Sequence, residues 1–210
     1  MDKLIKILKN ILLCICLGTS LTACAPALLG GTVMGSVMAS DRRTSGAQVE
    51  DKGIELKLTS LINENLGERA HVNVNSYNRQ LLLTGEVPSA QDKQLVEKLV
   101  SRVANVKSIV NEIAVFGNTT LVQRSSDSVV TGRVKAGMLD IKDMYINAFK
   151  VVTERGVVYL MGRVTQKEAT RATELARSTS GVQKVVRLVE IISEEELKSL
   201  MKPLAEPGKK

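Results

Sequence analysis

The chain has 210 residues, with 29 Lys and Arg against 22 Asp and Glu, five Tyr and Phe, no Trp and one His. So few aromatic rings exclude the stacking platforms that single-stranded nucleic acid needs, and no nucleic-acid partner is expected. The single histidine, with three cysteines of which two fall in the first 16 residues, leaves no side-chain set for a metal centre or a cofactor, and none is expected.

The amino-terminal stretch carries Lys3, Lys6 and Lys9, then a mostly apolar run from Ile11 to Leu21 interrupted by Gly18, Thr19 and Ser20. The run is too short for a spanning helix and has the anatomy of a secretory signal over residues 1–23. It ends in Leu21-Thr22-Ala23-Cys24, which resembles the bacterial lipobox. That resemblance implies cleavage before Cys24, diacylation of its sulfur and acylation of the new amino terminus, making Cys24 the expected lipid-attachment residue. Each buried methylene contributes about 0.8 kcal/mol, so several acyl chains anchor a protein in effect permanently. Ala25 stands where similarity to lipoprotein sorting would require Asp for retention at the inner membrane, which implies the outer membrane, facing the periplasm.

Removing the leader leaves 187 residues with 26 basic against 21 acidic side chains, a surplus that favours acidic phospholipid without singling out a partner. Cys24 is then the only cysteine, so no intrachain disulfide is expected. Residues 24–50 read as a lipidated flexible tether. Ala25 to Ala39 is apolar and glycine-rich but shorter than the roughly 20 residues of a spanning helix, and Asp41-Arg42-Arg43-Thr44-Ser45-Gly46 supplies charge and turn residues.

Beyond residue 50 the sequence repeats at an interval of 76 or 77 positions. Val72-Asn73-Val74 aligns with Phe149-Lys150-Val151, Leu83-Thr84-Gly85-Glu86-Val87 with Leu160-Met161-Gly162-Arg163-Val164, and Val106 to Asn111 with Val182 to Arg187. Each copy opens on a helical stripe, Ile54, Leu58, Leu61 and Ile62 in the first and Val130, Val134, Gly137, Met138 and Ile141 in the second. Ser126 and Asp127 are the expected N-caps of the second stripe. Two strands follow around a turn at Asn78-Arg79 or Glu154-Arg155-Gly156. Gly85 and Gly162 interrupt the return strands at matching places, where a neighbouring backbone comes close or a bulge forms. Ser89-Ala90-Gln91-Asp92 and Thr165-Gln166-Lys167-Glu168 then read as capping boxes, Asp92 being the weaker partner. The helices they start bury Leu95, Leu99 and Val103, and Ala169, Ala172, Leu175 and Ala176. β-Branched runs from Val106 to Val115 and from Val182 to Ile192 close the copies as strands.

The order predicts an α+β protein of two tandem α-β-β-α-β units, each a three-stranded mixed sheet packed on two helices. The units occupy residues 51–117 and 127–192, joined by a linker at 118–126 and followed by a tail at 193–210 in which Glu194 to Met201 forms a short helix stopped at Pro203. Leu-x-Gly-x-Val, a helix, then Asn105-Val106 or Gly181-Val182 and a β-branched strand resembles the BON domain. With the lipobox and the Asp-Arg-Arg-x-x-Gly-x-Gln-x-Glu-Asp of residues 41–51, residues 21–192 resemble the dual-BON lipoproteins of the bacterial outer membrane, a family described as division- and outer-membrane-stress-associated lipid-binding proteins.

The resemblance implies binding of anionic phospholipid by the first helix of the second domain, in support of envelope integrity and cell division. The expected phospholipid-binding residues are Val129, Val130, Arg133, Val134, Ala136, Gly137 and Met138. On a helical wheel Val130, Val134 and Ile141 face the sheet, whereas Val129, Arg133 and Ala136 share a different face, an apolar contact beside a cation. Gly132 and Gly137 each cost about 1 kcal/mol relative to Ala inside a helix, so either the helix is loose or something packs tightly on it.

A catalytic role finds no support in the residues, because His71 stands alone at the start of a strand with no Ser-His-Asp set or phosphate loop, and the chain is not expected to be an enzyme. The alternative function is a periplasmic protein-binding adaptor for envelope-assembly or cell-wall remodelling proteins. Whether the two domains touch, and whether the chain oligomerises, the sequence leaves open.

Overall fold

The computed structural model describes residues 41–142 and 144–200; the leader, Cys24, the first part of the tether and residues 201–210 lie outside the described residues. Helix α1 (Ser45–Leu66) is capped by Thr44, whose hydroxyl accepts from the Ala47 amide, and buries Ile54, Leu58, Ile62 and Leu66 at four-residue intervals. The helix therefore reaches back into the stretch expected to be tether.

Strands β1 (His71–Tyr77) and β2 (Gln80–Val87) form an antiparallel hairpin in which Tyr77 opposes Gln80. The two turn residues, Asn78 and Arg79, have φ of 50° and 67°, the left-handed pair that matches the twist of a two-residue hairpin. Helix α2 (Ala90–Val100) leads back to β3 (Ser108–Asn111) and β4 (Ala114–Val115), both parallel to β2. The closing strand of this domain is thus interrupted at Glu112 and Ile113. Of the residues expected to be buried here, Leu99 and Val103 are in the core and Leu95 is only partly covered, while Val96 and Val100 of α2 are buried as well.

The second domain repeats the plan with α3 (Leu121–Leu139), β5 (Phe149–Glu154), β6 (Val157–Val164), α4 (Gln166–Ser178) and β7 (Lys184–Ile191). A short helix α5 (Glu194–Leu200) follows where one is expected; its expected end at Met201 and stop at Pro203 lie outside the described residues. The sheets have the orders β1-β2-β3, with β4 beside β2, and β5-β6-β7, the first pair in each antiparallel and the second parallel. Both domains are therefore the α-β-β-α-β units that the repeat predicts.

Three local expectations are refined. Helix α3 starts at Leu121, inside the expected linker, because Thr120 caps it by accepting from the Gln123 amide; Ser126 and Asp127 are interior to the helix, not its caps. Thr165 and Glu168 form a complete capping box, whereas Asp92, one methylene shorter, accepts from the Ser89 hydroxyl and pairs with Arg69 at 3.0 Å. Gly85 and Gly162 are sites of close backbone approach: a Cβ there would lie 2.0 Å from the His71 carbonyl oxygen and 2.5 Å from that of Ala148. His71 and Ala148 occupy equivalent places in the repeat.

Helices cover one face of each sheet, and the other two faces pack on each other. Leu81, Leu83 and Val87 point to the first domain's helices; Val158, Leu160 and Val164 to the second's. The alternate residues Tyr77, Leu82, Tyr159 and Met161 form a third core between the sheets, flanked by Val110, Val152, Val186 and Leu188. The layers run helix, sheet, sheet, helix, and the central strands β2 and β6 are buried on both sides.

Candidate functional site

Helix α3 is positioned by its inner stripe. Val130, Val134 and Met138 are fully sunk in the second core, so three of the residues expected to touch phospholipid have no surface to offer it and serve to seat the helix. Asp127, on the same inner face, accepts from the Arg155 amide at 2.8 Å and the Gly156 amide at 2.9 Å. These are the turn amides of the β5-β6 hairpin, so one buried carboxylate locks helix to sheet. Asp51 of α1 does the same for the Asn78 and Arg79 amides, each at 2.7 Å.

Gly137, also among the expected residues, meets Leu175 of α4, whose Cδ1 would lie 2.9 Å from an added Cβ. Close packing therefore accounts for this glycine. Gly132 has open space around it. The remaining expected residues, Val129, Arg133 and Ala136, are exposed on the outer face, with Arg133 Nη1 donating to the Ser180 carbonyl at 3.3 Å.

The outer face is larger than those three residues. Leu121 is 77% exposed, Val122 81%, Val129 51% and Leu139 67%. Val122, Val129 and Ala136 recur every seven residues on the side opposite the buried stripe. Arg133 and exposed Lys135 flank them. Leu121, Val122 and Leu139 lie at the ends of the helix, outside the periodic stripe, so hydrophobic spacing carries no signal for them.

The segment before α1 binds both domains. Arg42, 6% exposed, donates from Nη2 and Nη1 to the two carboxylate oxygens of Glu168 at 2.6 and 2.7 Å, and from Nη1 to the Arg163 carbonyl at 3.0 Å. Arg163 Nη1 returns a bond to the Arg42 carbonyl at 3.1 Å. Arg43 pairs with Asp41 and Asp51, both at 2.7 Å, and lies 4.3 Å from the Tyr77 ring centre. Burial pushes the Glu168 carboxyl up, but the Arg42 guanidinium and the Thr165 amide outweigh it and hold the group below its ordinary value. The same balance, with the Ser76 hydroxyl and the Arg79 amide as the largest opposing bonds, holds Asp51 down. Asp41 to Arg43, expected only to end the tether, are a two-domain clamp.

Between the sheets, Tyr77 donates its hydroxyl to the Ala148 carbonyl at 3.2 Å and accepts from the Arg163 amide at 3.3 Å. Lys150 of β5 bonds Glu55 of α1 and the Ser76 carbonyl. Across the repeat Tyr77 corresponds to Glu154, which accepts from Asn73 Nδ2 at 2.7 Å and Thr84 Oγ1 at 3.2 Å. His71 bonds Asn73 through Nε2 at 3.2 Å.

The family model for the BON domain matches residues 50–116 and 126–193, each span coinciding with one of the two units. The outer membrane lipoprotein DolP of Haemophilus influenzae is 34% identical over 170 residues, covering 80% of this chain and 88% of that one. A 21 kDa hemolysin of Actinobacillus pleuropneumoniae is 31% identical over 154 residues, covering 72% of this chain and 79% of the relative.

Proposed function

Because this chain belongs to the BON-domain family and carries the domain twice, we propose that it is an envelope lipoprotein, held to the outer membrane on its periplasmic side by acyl groups on Cys24, that binds anionic phospholipid through helix α3 and so supports envelope integrity and cell division. The outer-membrane lipoprotein relative favours the location. The observation that carries the lipid reading is the outer face of α3, a 19-residue helix whose exposed side bears Leu121, Val122, Val129 and Leu139 next to Arg133 and Lys135. An amphipathic helix of this kind lies in the plane of the interface, its apolar residues at the acyl boundary and its cations at the phosphates. The expected lipid contacts are therefore Val129, Arg133 and Ala136, extended by Leu121, Val122 and Leu139.

Flotation of residues 25–210, purified without acylation, on vesicles with and without anionic phospholipid tests this. Binding should require acidic lipid and weaken with salt. Val129→Glu should reduce it about tenfold, since burying one valine is worth roughly 1.5 kcal/mol or more. Equal flotation on neutral vesicles, or none on acidic ones, would remove the lipid reading and leave the adaptor reading, for which a pulldown that survives removal of acidic lipid is the corresponding test.

A further inference from the structure

A cleft of about 420 Å³ runs between β1 of the first domain and α3 and β5 of the second, within the size range of small-molecule sites. Its charged lining is Glu154 at the end of β5 with Arg124 and Asp127 of α3, facing His71 and Asn73 on β1. Asp127 is committed to its two hairpin amides. The other two charges are not used up by the fold.

Glu154 is 6% exposed. Its Oε2 takes the bonds from Asn73 and Thr84, while Oε1 has no hydrogen-bond donor, and no cation lies within 4.0 Å, among the described residues. Behind it sits Glu86, 0% exposed, whose Oε2 accepts from the Thr119 amide at 3.3 Å and hydroxyl at 3.1 Å. The Oε1 of Glu86 is buried with no hydrogen bond; its cation, Arg155, stays 3.8 Å away and 4.8 Å from the Phe116 ring centre. Burial, with the Glu86 charge adding to it, pushes the Glu154 carboxyl up against the opposing pull of Asn73, His71 and Thr84. Two buried carboxylates with this little positive charge are costly unless a cation that carries its own N–H donors joins them. No three His, Cys, Asp or Glu side chains are placed to hold a metal among the described residues, so the fitting cation is an organic ammonium. Arg124, for its part, bonds Thr119 through Nε and Nη2, which leaves Nη1 uncommitted among the described residues.

We propose that this cleft binds a protonated primary amine carried beside a phosphate, the ammonium on Glu154 and the phosphate on Arg124. That chemistry is shared by an aminoethyl-phosphate lipid head group and by a free phosphoamine. It is separate from the outer face of α3 and does not require acidic lipid.

The test is amide NMR of the full chain titrated with phosphoethanolamine, with phosphocholine and with inorganic phosphate. Saturable shifts at Asn73, Thr153 and Glu154 are expected with phosphoethanolamine. Phosphocholine, whose ammonium has no N–H, should bind about tenfold more weakly or worse, the loss of one charge-assisted hydrogen bond. Glu154→Gln keeps the shape and should weaken phosphoethanolamine by a similar factor, while leaving the flotation on acidic vesicles intact. Vesicles of phosphatidylethanolamine assign the source: competition with the soluble compound points to the head group, and no competition to a free amine. Absence of saturable shifts, equal shifts with all three compounds, or an unchanged affinity in Glu154→Gln would overturn the proposal.

Discussion

Replacing Arg42 with Ala removes the guanidinium from a buried pair and leaves Glu168, 7% exposed, with only the Thr165 amide and hydroxyl as partners. Three charge-assisted bonds are lost, two to Glu168 and one to the Arg163 carbonyl. Breaking such a pair from one side costs about 3 to 5 kcal/mol, because the remaining charge stays desolvated. The lower end applies here, since residues 41–43 precede the first helix and can move aside to let water reach Glu168. At an m-value of roughly 2 to 3 kcal/mol/M, about 3 kcal/mol lowers the urea midpoint by about 1 M. Because Arg42 holds the second domain while Arg43 holds the first, the variant should also separate one unfolding transition into two. The pH dependence has a definite sign. Glu168 is depressed below 4.5 in the folded chain, so its contribution is complete above the unfolded value and is lost as pH falls through the lowered folded value. The gap between the unmodified chain and Arg42→Ala should therefore narrow below about pH 4. A midpoint shift under about 0.2 M at pH 7, or a gap that widens on acidification, would refute the clamp.

Other substitutions test the remaining contacts. Gly85→Ala should destabilise more than Gly162→Ala, since its Cβ would sit closer to a carbonyl oxygen and its φ of 106° disfavours any side chain; differential scanning calorimetry should show losses of several degrees and a smaller loss respectively. Asp127→Ala should cost about 1 to 3 kcal/mol by stripping two buried amides of their acceptor, and hydrogen exchange at Arg155 and Gly156 should accelerate ahead of the rest of β5 and β6. Glu154 has its carboxyl raised in the folded chain, so its ionised form opposes folding: stability is retained below the unfolded value and declines as pH rises through the folded one. Glu154→Gln should accordingly stabilise the protein at pH 8 and make little difference at pH 4, as read from urea midpoints.

Periodicity carried most of the fold. The stripes of α1 and α3, the hairpins and the parallel return strands follow from hydrophobic spacing at 3.6 and 2.0 residues, and the repeat made each copy a check on the other. Boundaries were less legible. Leu121 to Ser126 join α3 because Thr120 supplies the cap, but their own spacing buries nothing, so hydrophobic periodicity does not mark the first turns. The clamp was legible only as a charged stretch, since nothing local says that Arg42 meets Glu168 126 positions away. The face-to-face sheets do leave a signal in the sequence. Leu81-Leu82-Leu83 and Val158-Tyr159-Leu160-Met161 are continuous apolar runs, the mark of strands covered on both sides, where a strand exposed on one face would alternate. Of the expected lipid-binding set, Val129, Arg133 and Ala136 fall on the outer face, while Val130, Val134 and Met138 belong to the stripe that had already been assigned to the core.

The repeat gives the junction between the domains two equivalent ends, and they are closed differently. At one end Tyr77 reaches the positions of Ala148 and Arg163; at the other Glu154 stands where Tyr77 does, facing the corresponding His71 and Glu86. Burial pushes the Tyr77 hydroxyl up to about 12, so that end is closed by a neutral group at any working pH. A neutral closure is thus available to this scaffold and is used once. A junction that only had to hold two sheets together would gain from using it twice, because a neutral hydrogen-bonded side chain in place of Glu154 avoids desolvating a second carboxylate beside Glu86. The acidic end instead lowers stability at a place that borders a cleft and the helix proposed to face the membrane. Departures from local consistency of this kind concentrate where a protein binds something, which is why the Glu154 end, rather than the better-satisfied Tyr77 end, is where a ligand should be sought.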